Sequence, residues 1–226
     1  MRRLVVLRPE PGATQTMRRA RELGFDAVAM PLFAIEPVAW EAPEIAAFDG
    51  LLLTSANAVR CAGDALTGLR SLPVHAVGDA TAEAARCAGF EVATTGGGDI
   101  DDLLAILPDG TTLLHLCGEH KRQPTVNRHS IVPIAVYTSK ALDAPANAAP
   151  LRGSVALVHS SRAGARLREV VELAKLDRRE IAIAAISPAA AESAGPGWAT
   201  IEAAGEPTDA ALLALAARLC NNLEGA

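Results

Sequence analysis

Four elements of the chain recur in the same order at a nearly constant spacing, and this recurrence limits the fold to one with two similar halves. Leu4 and Leu7 in RLVVL match Leu113 and Leu116 in TLLHL at an offset of 109 residues. Val77 in AVG matches Ile186 in AIS, and Leu103-Leu104-Ala105 matches Leu212-Leu213-Ala214, at the same offset of 109. Ser55 meets Ser161 at an offset of 106. One apolar match is easily accidental, whereas four in order are the mark of an internal duplication.

The repeated unit is a short apolar run, a turn of small residues and a helical pattern. Val74 to Gly89 (VHAVGDATAEAARCAG) reads as a strand that stops at Gly78, followed by a helix that starts near Thr81. Its counterpart, Ile181 to Gly195 (IAIAAISPAAAESAG), turns at Ser187-Pro188. A glycine after a buried strand lets a ligand approach the backbone, and the first free N–H groups of a helix bind anions.

Taken in order, Arg3 to Leu7 is a strand, Ala13 to Leu23 a helix ended by Gly24, and Asp26 to Met30 a second strand. Pro31 to Trp40 is extended and punctuated by proline, as is Ile131 to Lys140, and the two segments can pair as an antiparallel connector. Phe48 to Leu53 is a strand leading into Thr54-Ser55-Ala56-Asn57, where Thr54, Ser55 and Asn57 suit helix capping and ligand binding equally, ahead of a helix to about Leu69. Gly96-Gly97-Gly98 lacks the G-x-G-x-x-G spacing and carries no dinucleotide fingerprint. The expected organisation is α/β with interleaved domains: residues 1–33 with 141–226, residues 41–130, and linker strands at 34–40 and 131–140.

Composition narrows the function. Aromatic residues make up only 3% of the chain, so nothing resembles a stacking platform for bases, and the formal net charge of −5 argues against phosphate binding, so nucleic acid is not an expected partner. Cys61, Cys87, Cys117 and Cys220 form no C-x-x-C and have no histidine at metal-ligand spacing. His75, His115 and His159 fall in strand patterns and read as core histidines. No apolar run is long enough for a signal peptide or a membrane span, which leads to the expectation of a soluble, cytoplasmic protein.

Arg8-Pro9, Thr54 to Val59, Ala76 to Ala82, Val136-Tyr137, Ser160-Ser161, Ser187-Pro188 and Pro207 to Leu213 follow one another in an order and spacing that resemble the uroporphyrinogen-III synthase family. The resemblance implies two flavodoxin-like parallel-sheet domains, related by the duplication and joined by a two-stranded β-ladder linker. It implies closure of linear hydroxymethylbilane with inversion of its last ring and loss of water, by a monomer without metal or organic cofactor. The substrate carries eight carboxylates, so the expected anchors are the strand-to-helix turns at Arg8, Ser55, Asn57, Gly78, Thr81, Gly118 to Arg122, Ser160, Ser161 and Ser187. Tyr137, the single tyrosine, stands at the family's tyrosine position and is the expected catalytic group, donating a hydrogen bond to the leaving hydroxyl. Ala189 and Ala190 replace hydroxyl residues often found after the Ser187-Pro188 turn, so donors there come from the backbone. A noncatalytic two-domain protein that holds an anionic metabolite uses the same turns without needing Tyr137. A flavodoxin-like electron carrier needs a phosphate loop and flanking aromatics, both missing.

Overall fold

The computed structural model describes residues 2–121, 123–125 and 128–222, the last without its side chain. In chain order the elements are β1 (Leu4–Val6), α1 (Gly12–Glu22), β2 (Ala27–Ala29), β3 (Phe33–Pro37), β4 (Gly50–Leu53), α2 (Ala56–Cys61), β5 (Val74–Ala76) and α3 (Asp79–Cys87). There follow β6 (Val92–Thr95), α4 (Ile100–Ala105), β7 (Thr112–Gly118), β8 (Ser130–Ala141), β9 (Val155–Val158), α5 (Ser161–Leu173), β10 (Ala182–Ala185), α6 (Pro188–Ala194), β11 (Thr200–Ala203) and α7 (Asp209–Asn222). Two compact units result: the chain up to Ala34 with Lys140 onward is the first, and Ile35–Ser139 the second.

The first unit is built on a five-stranded sheet in the order β11-β10-β9-β1-β2, with every pair parallel. Its central strands, VALV in β9 and AIAA in β10, are buried along their whole length. Continuous apolar strands of this kind are what a parallel sheet covered on both faces requires. One face packs Val5, Ala156, Ile183 and Leu167 together, and the other packs Leu4, Val6, Leu157 and the α7 leucines. Leu212, Leu213, Leu215 and Leu219 of α7 are each at most 4% exposed. Burying a leucine is worth about 2 kcal/mol, so these four fix α7, and Asp209 at its start, against the sheet. Helices α5 and α6 approach so closely that a Cβ on Gly164 would stand 2.7 Å from the Ala190 carbonyl oxygen.

The second unit has strand order β3-β8-β7-β4-β5-β6, in which β8-β7-β4-β5-β6 are parallel. That five-strand order is the order of the first unit, with β7, β8, β4, β5 and β6 in the places of β1, β2, β9, β10 and β11. The two orders differ only in where the chain enters and leaves.

Two local features depart from the sequence pattern. The helix expected from the Thr54 turn to Leu69 stops at Cys61 and continues after a break as a 3-10 turn, Asp64–Leu69, because Gly63 takes φ +64°. The proline-marked segment from Ile131 is also more than a connector: residues 130–137 of β8 pair in parallel with β7 and complete the sheet. Pro133 is tolerated there because β3 lies beside a later part of β8: the bonds that flank β3 run from the Val38 N–H to the Val136 carbonyl and from the Leu142 N–H to the Leu32 carbonyl. Its missing N–H therefore faces an open edge.

Candidate active site

At the carboxyl end of the second unit's sheet, a cavity of about 240 Å³ is lined by Thr54, Ser55, Val77, Gly98, Asp99, Ile100, Gly118, His120, Lys121 and Tyr137. Tyr137 reaches it through an irregularity of the sheet. Cys117 faces Ala135, yet Gly118 faces Tyr137, so Val136 is an extra residue on β8. Bulges of this kind re-aim the side chain that follows. Gly118 makes the new direction possible, since a Cβ there would lie 2.8 Å from Cε2 and Cζ of the Tyr137 ring. Half-burial pushes the Tyr137 phenol above its ordinary pKa, against a smaller opposing effect of its hydrogen bond with Ser55. The phenol is neutral at pH 7 and remains a donor.

Three of the surrounding polar side chains, those of Ser55, Asp99 and Thr54, have hydrogen-bond partners. Ser55 caps α2, its hydroxyl oxygen accepting the Asn57 N–H at 3.2 Å. A hydroxyl that accepts from the backbone still has a proton to donate. Asp99 caps α4 by accepting the Asp101 N–H, at 2.8 Å. Thr54 Oγ1 lies 3.2 Å from Nε2 of His115, which is 2% exposed. Burial, helped by the nearby Lys121 cation, lowers the His115 pKa to about 4, so the ring is neutral at pH 7.

Of the residues expected from sequence in this unit, Ser55, Gly118 and Tyr137 line the cavity, whereas Asn57, Gly78 and Thr81 do not. Asn57 gives its N–H to Ser55, and its amide oxygen accepts from Arg60. Gly78 is the cap of α3 in extended backbone with no side-chain cap bond, and open space lies where a Cβ would stand. Thr81 is buried in α3 at 7% exposure. The stretch from Gly118 continues to Lys121, at the cavity, while Arg122 lies outside the described residues. The triple-glycine loop contributes through Gly98 and Asp99, a role that a search for phosphate-loop spacing passes over.

In the first unit, Arg8, Ser160 and Ser187 all follow the carboxyl ends of strands, β1, β9 and β10. Ser160 and Ser187 cap α5 and α6, accepting the Ala163 and Ala190 N–H groups, and Ser161 is the first residue of α5. Arg8 belongs to a cluster that periodicity could not anticipate, centred on Asp209. The Asp209 carboxylate accepts from Thr16 Oγ1 at 2.7 Å, from His159 Nε2 at 3.1 Å and from Arg19 Nη1 at 2.8 Å, with Arg8 Nη1 at 3.7 Å. Burial opposes its charge, but the bonds from His159, Arg19 and Thr16 prevail and hold it well below the usual carboxylate range. Burial lowers the His159 pKa more than its bond to Asp209 raises it. With its pKa lowered, His159 keeps an Nε2–H for Asp209 in its neutral form, and on protonation adds a charge that favours the carboxylate. Among the described residues, no group of three or more His, Cys, Asp or Glu is placed to hold a metal ion.

The shift at His115 sets a pH dependence of stability. Above pH 6.5 the ring is neutral in both folded and unfolded chains. As pH falls from 6.5 towards 4, the unfolded chain takes up a proton that folded His115 refuses, and stability falls, by at most about 3 kcal/mol from this residue. Unfolding free energies at pH 7 and pH 4.5 should therefore differ less in His115→Leu than in the unaltered chain. Equal differences would place the titration elsewhere, His75 and His159 also being lowered by burial.

Comparison with known proteins gives the family. Residues 14–214 match the model of uroporphyrinogen-III synthase HemD. A uroporphyrinogen-III synthase of Chlorobaculum parvum is 33% identical over 92 residues, a match covering 37% of this chain and 37% of that relative's length. Among solved structures, the uroporphyrinogen-III synthetase of Helicobacter pylori superposes with a TM-score of 0.64 at 19% identity, over 97% of this chain and 100% of the other. A mutant uroporphyrinogen III synthase of Thermus thermophilus gives 0.55 at 17% identity, over 97% and 99%. The two structures share the mixed α/β fold with parallel sheets, and the model match spans most of the sequence: the chain belongs to the uroporphyrinogen-III synthase family.

Proposed function

We propose that the chain closes hydroxymethylbilane to uroporphyrinogen III, inverting the last pyrrole ring and releasing water. The observation that carries this reading is the cavity in which the family's tyrosine, Tyr137, stands beside the hydroxyls of Thr54 and Ser55 and the Lys121 cation. The bilane's own electrons expel its hydroxyl: the pyrrole nitrogen pushes, the C–O bond breaks, the pyrrole N–H proton is lost and the departing hydroxyl leaves with a proton as water, and an azafulvene electrophile remains. Tyr137 donates a hydrogen bond to the departing oxygen, stabilising the charge that develops there. Left alone, the electrophile closes to the symmetric isomer. The enzyme's contribution is to hold the chain so that attack comes from the substituted position of the last ring, through a spirocyclic intermediate.

A cavity of about 240 Å³ lies below the usual range for whole ligands, roughly 300–1,000 Å³, and suits one ring and its side chains. The remaining carboxylates are assigned to the other strand-to-helix turns: Gly78, where open space adjoins the start of α3, and Arg8, Ser160, Ser161 and Ser187 in the first unit. Asn57 and Thr81 act by shaping their turns. The equal strand order of the two units and the 109-residue offset support duplication as their origin, and the β3–β8 pair serves as the ladder between them. The protein works as a cytoplasmic monomer with no organic or metal cofactor.

The test is to supply enzymatically prepared hydroxymethylbilane and separate the oxidised uroporphyrin isomers. The type III isomer should dominate. Type I alone, formed at the uncatalysed rate, would leave a binding protein for an anionic metabolite.

A further inference from the structure

His115 does not line the cavity, yet it is bonded to a residue that does. In the sheet it sits level with Leu52 on β4 and Pro133 on β8, both apolar, and among the described residues the one hydrogen bond of its side chain is to Thr54. An aliphatic side chain would fill this place at lower cost, because a buried polar ring must be compensated by a bond. The imidazole is therefore explained by what it does to Thr54. A neutral imidazole has one N–H and one lone pair, and the hydroxyl it meets takes the complementary role. If Nε2 carries the proton, Thr54 Oγ1 accepts from behind and its own proton is free to point forward into a cavity that also holds Lys121.

We propose that His115 is a positioning residue, whose Nε2–H holds the Thr54 hydroxyl with its proton directed into the cavity at a substrate carboxylate. This deepens the proposed function and rests on it for the identity of the ligand. The group served is a ground-state anchor, so the effect falls on binding more than on chemistry. A hydrogen bond to a charged acceptor corresponds to roughly a tenfold change in affinity or somewhat more.

His115→Leu and Thr54→Val should each raise KM for hydroxymethylbilane about tenfold and leave kcat within about twofold. The double variant should be no worse than either single one, since both remove the same oriented proton. His115→Gln, which can present an N–H at a similar reach, should recover most of the affinity. Nitrogen-15 NMR of the imidazole in the unaltered chain should show the Nε2–H tautomer, with its resonance shifted in Thr54→Val. Additive losses in the double variant, or a fall in kcat at constant KM, overturn the proposal. So does the Nδ1–H tautomer, which is read without any substrate. A chain that gives only the type I isomer ends the proposed function instead, and the tautomer still decides how Thr54 is held.

Discussion

Replacing Asp209 by alanine is expected to destabilise the first unit by about 3 kcal/mol. The carboxylate is the shared acceptor for Thr16, His159 and Arg19, and its side chain is 10% exposed. Thr16 is fully buried and the His159 side chain is 7% exposed, so both lose an acceptor where water cannot replace it. Arg8 and Arg19 are left facing each other without the charge between them. Asp209 is also the first residue of α7, where a negative side chain is favoured by the helix N-terminus. Asp209→Asn keeps an acceptor for Thr16 and loses the ion pairs, and should cost about half as much. The measurement is denaturant unfolding followed by fluorescence in a Trp40→Phe background, where Trp198, buried in the first unit, is the remaining reporter. A loss below about 1 kcal/mol would show that the cluster is held by the α7 leucines alone. The Asp209 contribution is present above the ordinary carboxylate pKa and is lost as pH falls below about 4, because the folded pKa is the depressed one.

The contrast between that cluster and the turns explains what could be read from the sequence. Apolar runs such as Leu51–Leu53 and the capping residues Ser55, Ser160 and Ser187 are local signals, each strand and cap being specified by neighbours within a few positions. The structure uses all three serines as caps and places them at carboxyl ends of parallel strands. The Asp209 cluster joins residues 50 and 193 positions apart, and none of its members is unusual alone. His159 looks like a core histidine until its acceptor is known. Pro133 had the opposite effect, since a proline reads as the edge of a domain even where the strand continues past it. The orientation of Tyr137 depends on one extra residue in β8, which no periodicity records.

That extra residue leads to the second large effect. Tyr137→Phe is expected to lower kcat about a hundredfold with KM changed by less than about threefold, because the hydrogen bond proposed for its phenol acts on the departing hydroxyl and not on the carboxylates. Gly118→Ala should give a similar loss while keeping the phenol. Its new methyl would stand 2.8 Å from Cε2 and Cζ and 3.1 Å from the oxygen of Tyr137, and the ring, being the free end of a side chain, gives way before the backbone does. The chain should therefore stay folded with its tyrosine out of place, and unfolding free energy should fall by no more than about 1–2 kcal/mol. The double variant should be no slower than the slower single one, since a displaced phenol and a missing phenol fail in the same way. Steady-state kinetics with hydroxymethylbilane, together with the isomer ratio, measures all three. Normal turnover in Tyr137→Phe would reduce the tyrosine to a packing role, and normal turnover in Gly118→Ala alone would show that the ring finds its place without the space the glycine leaves.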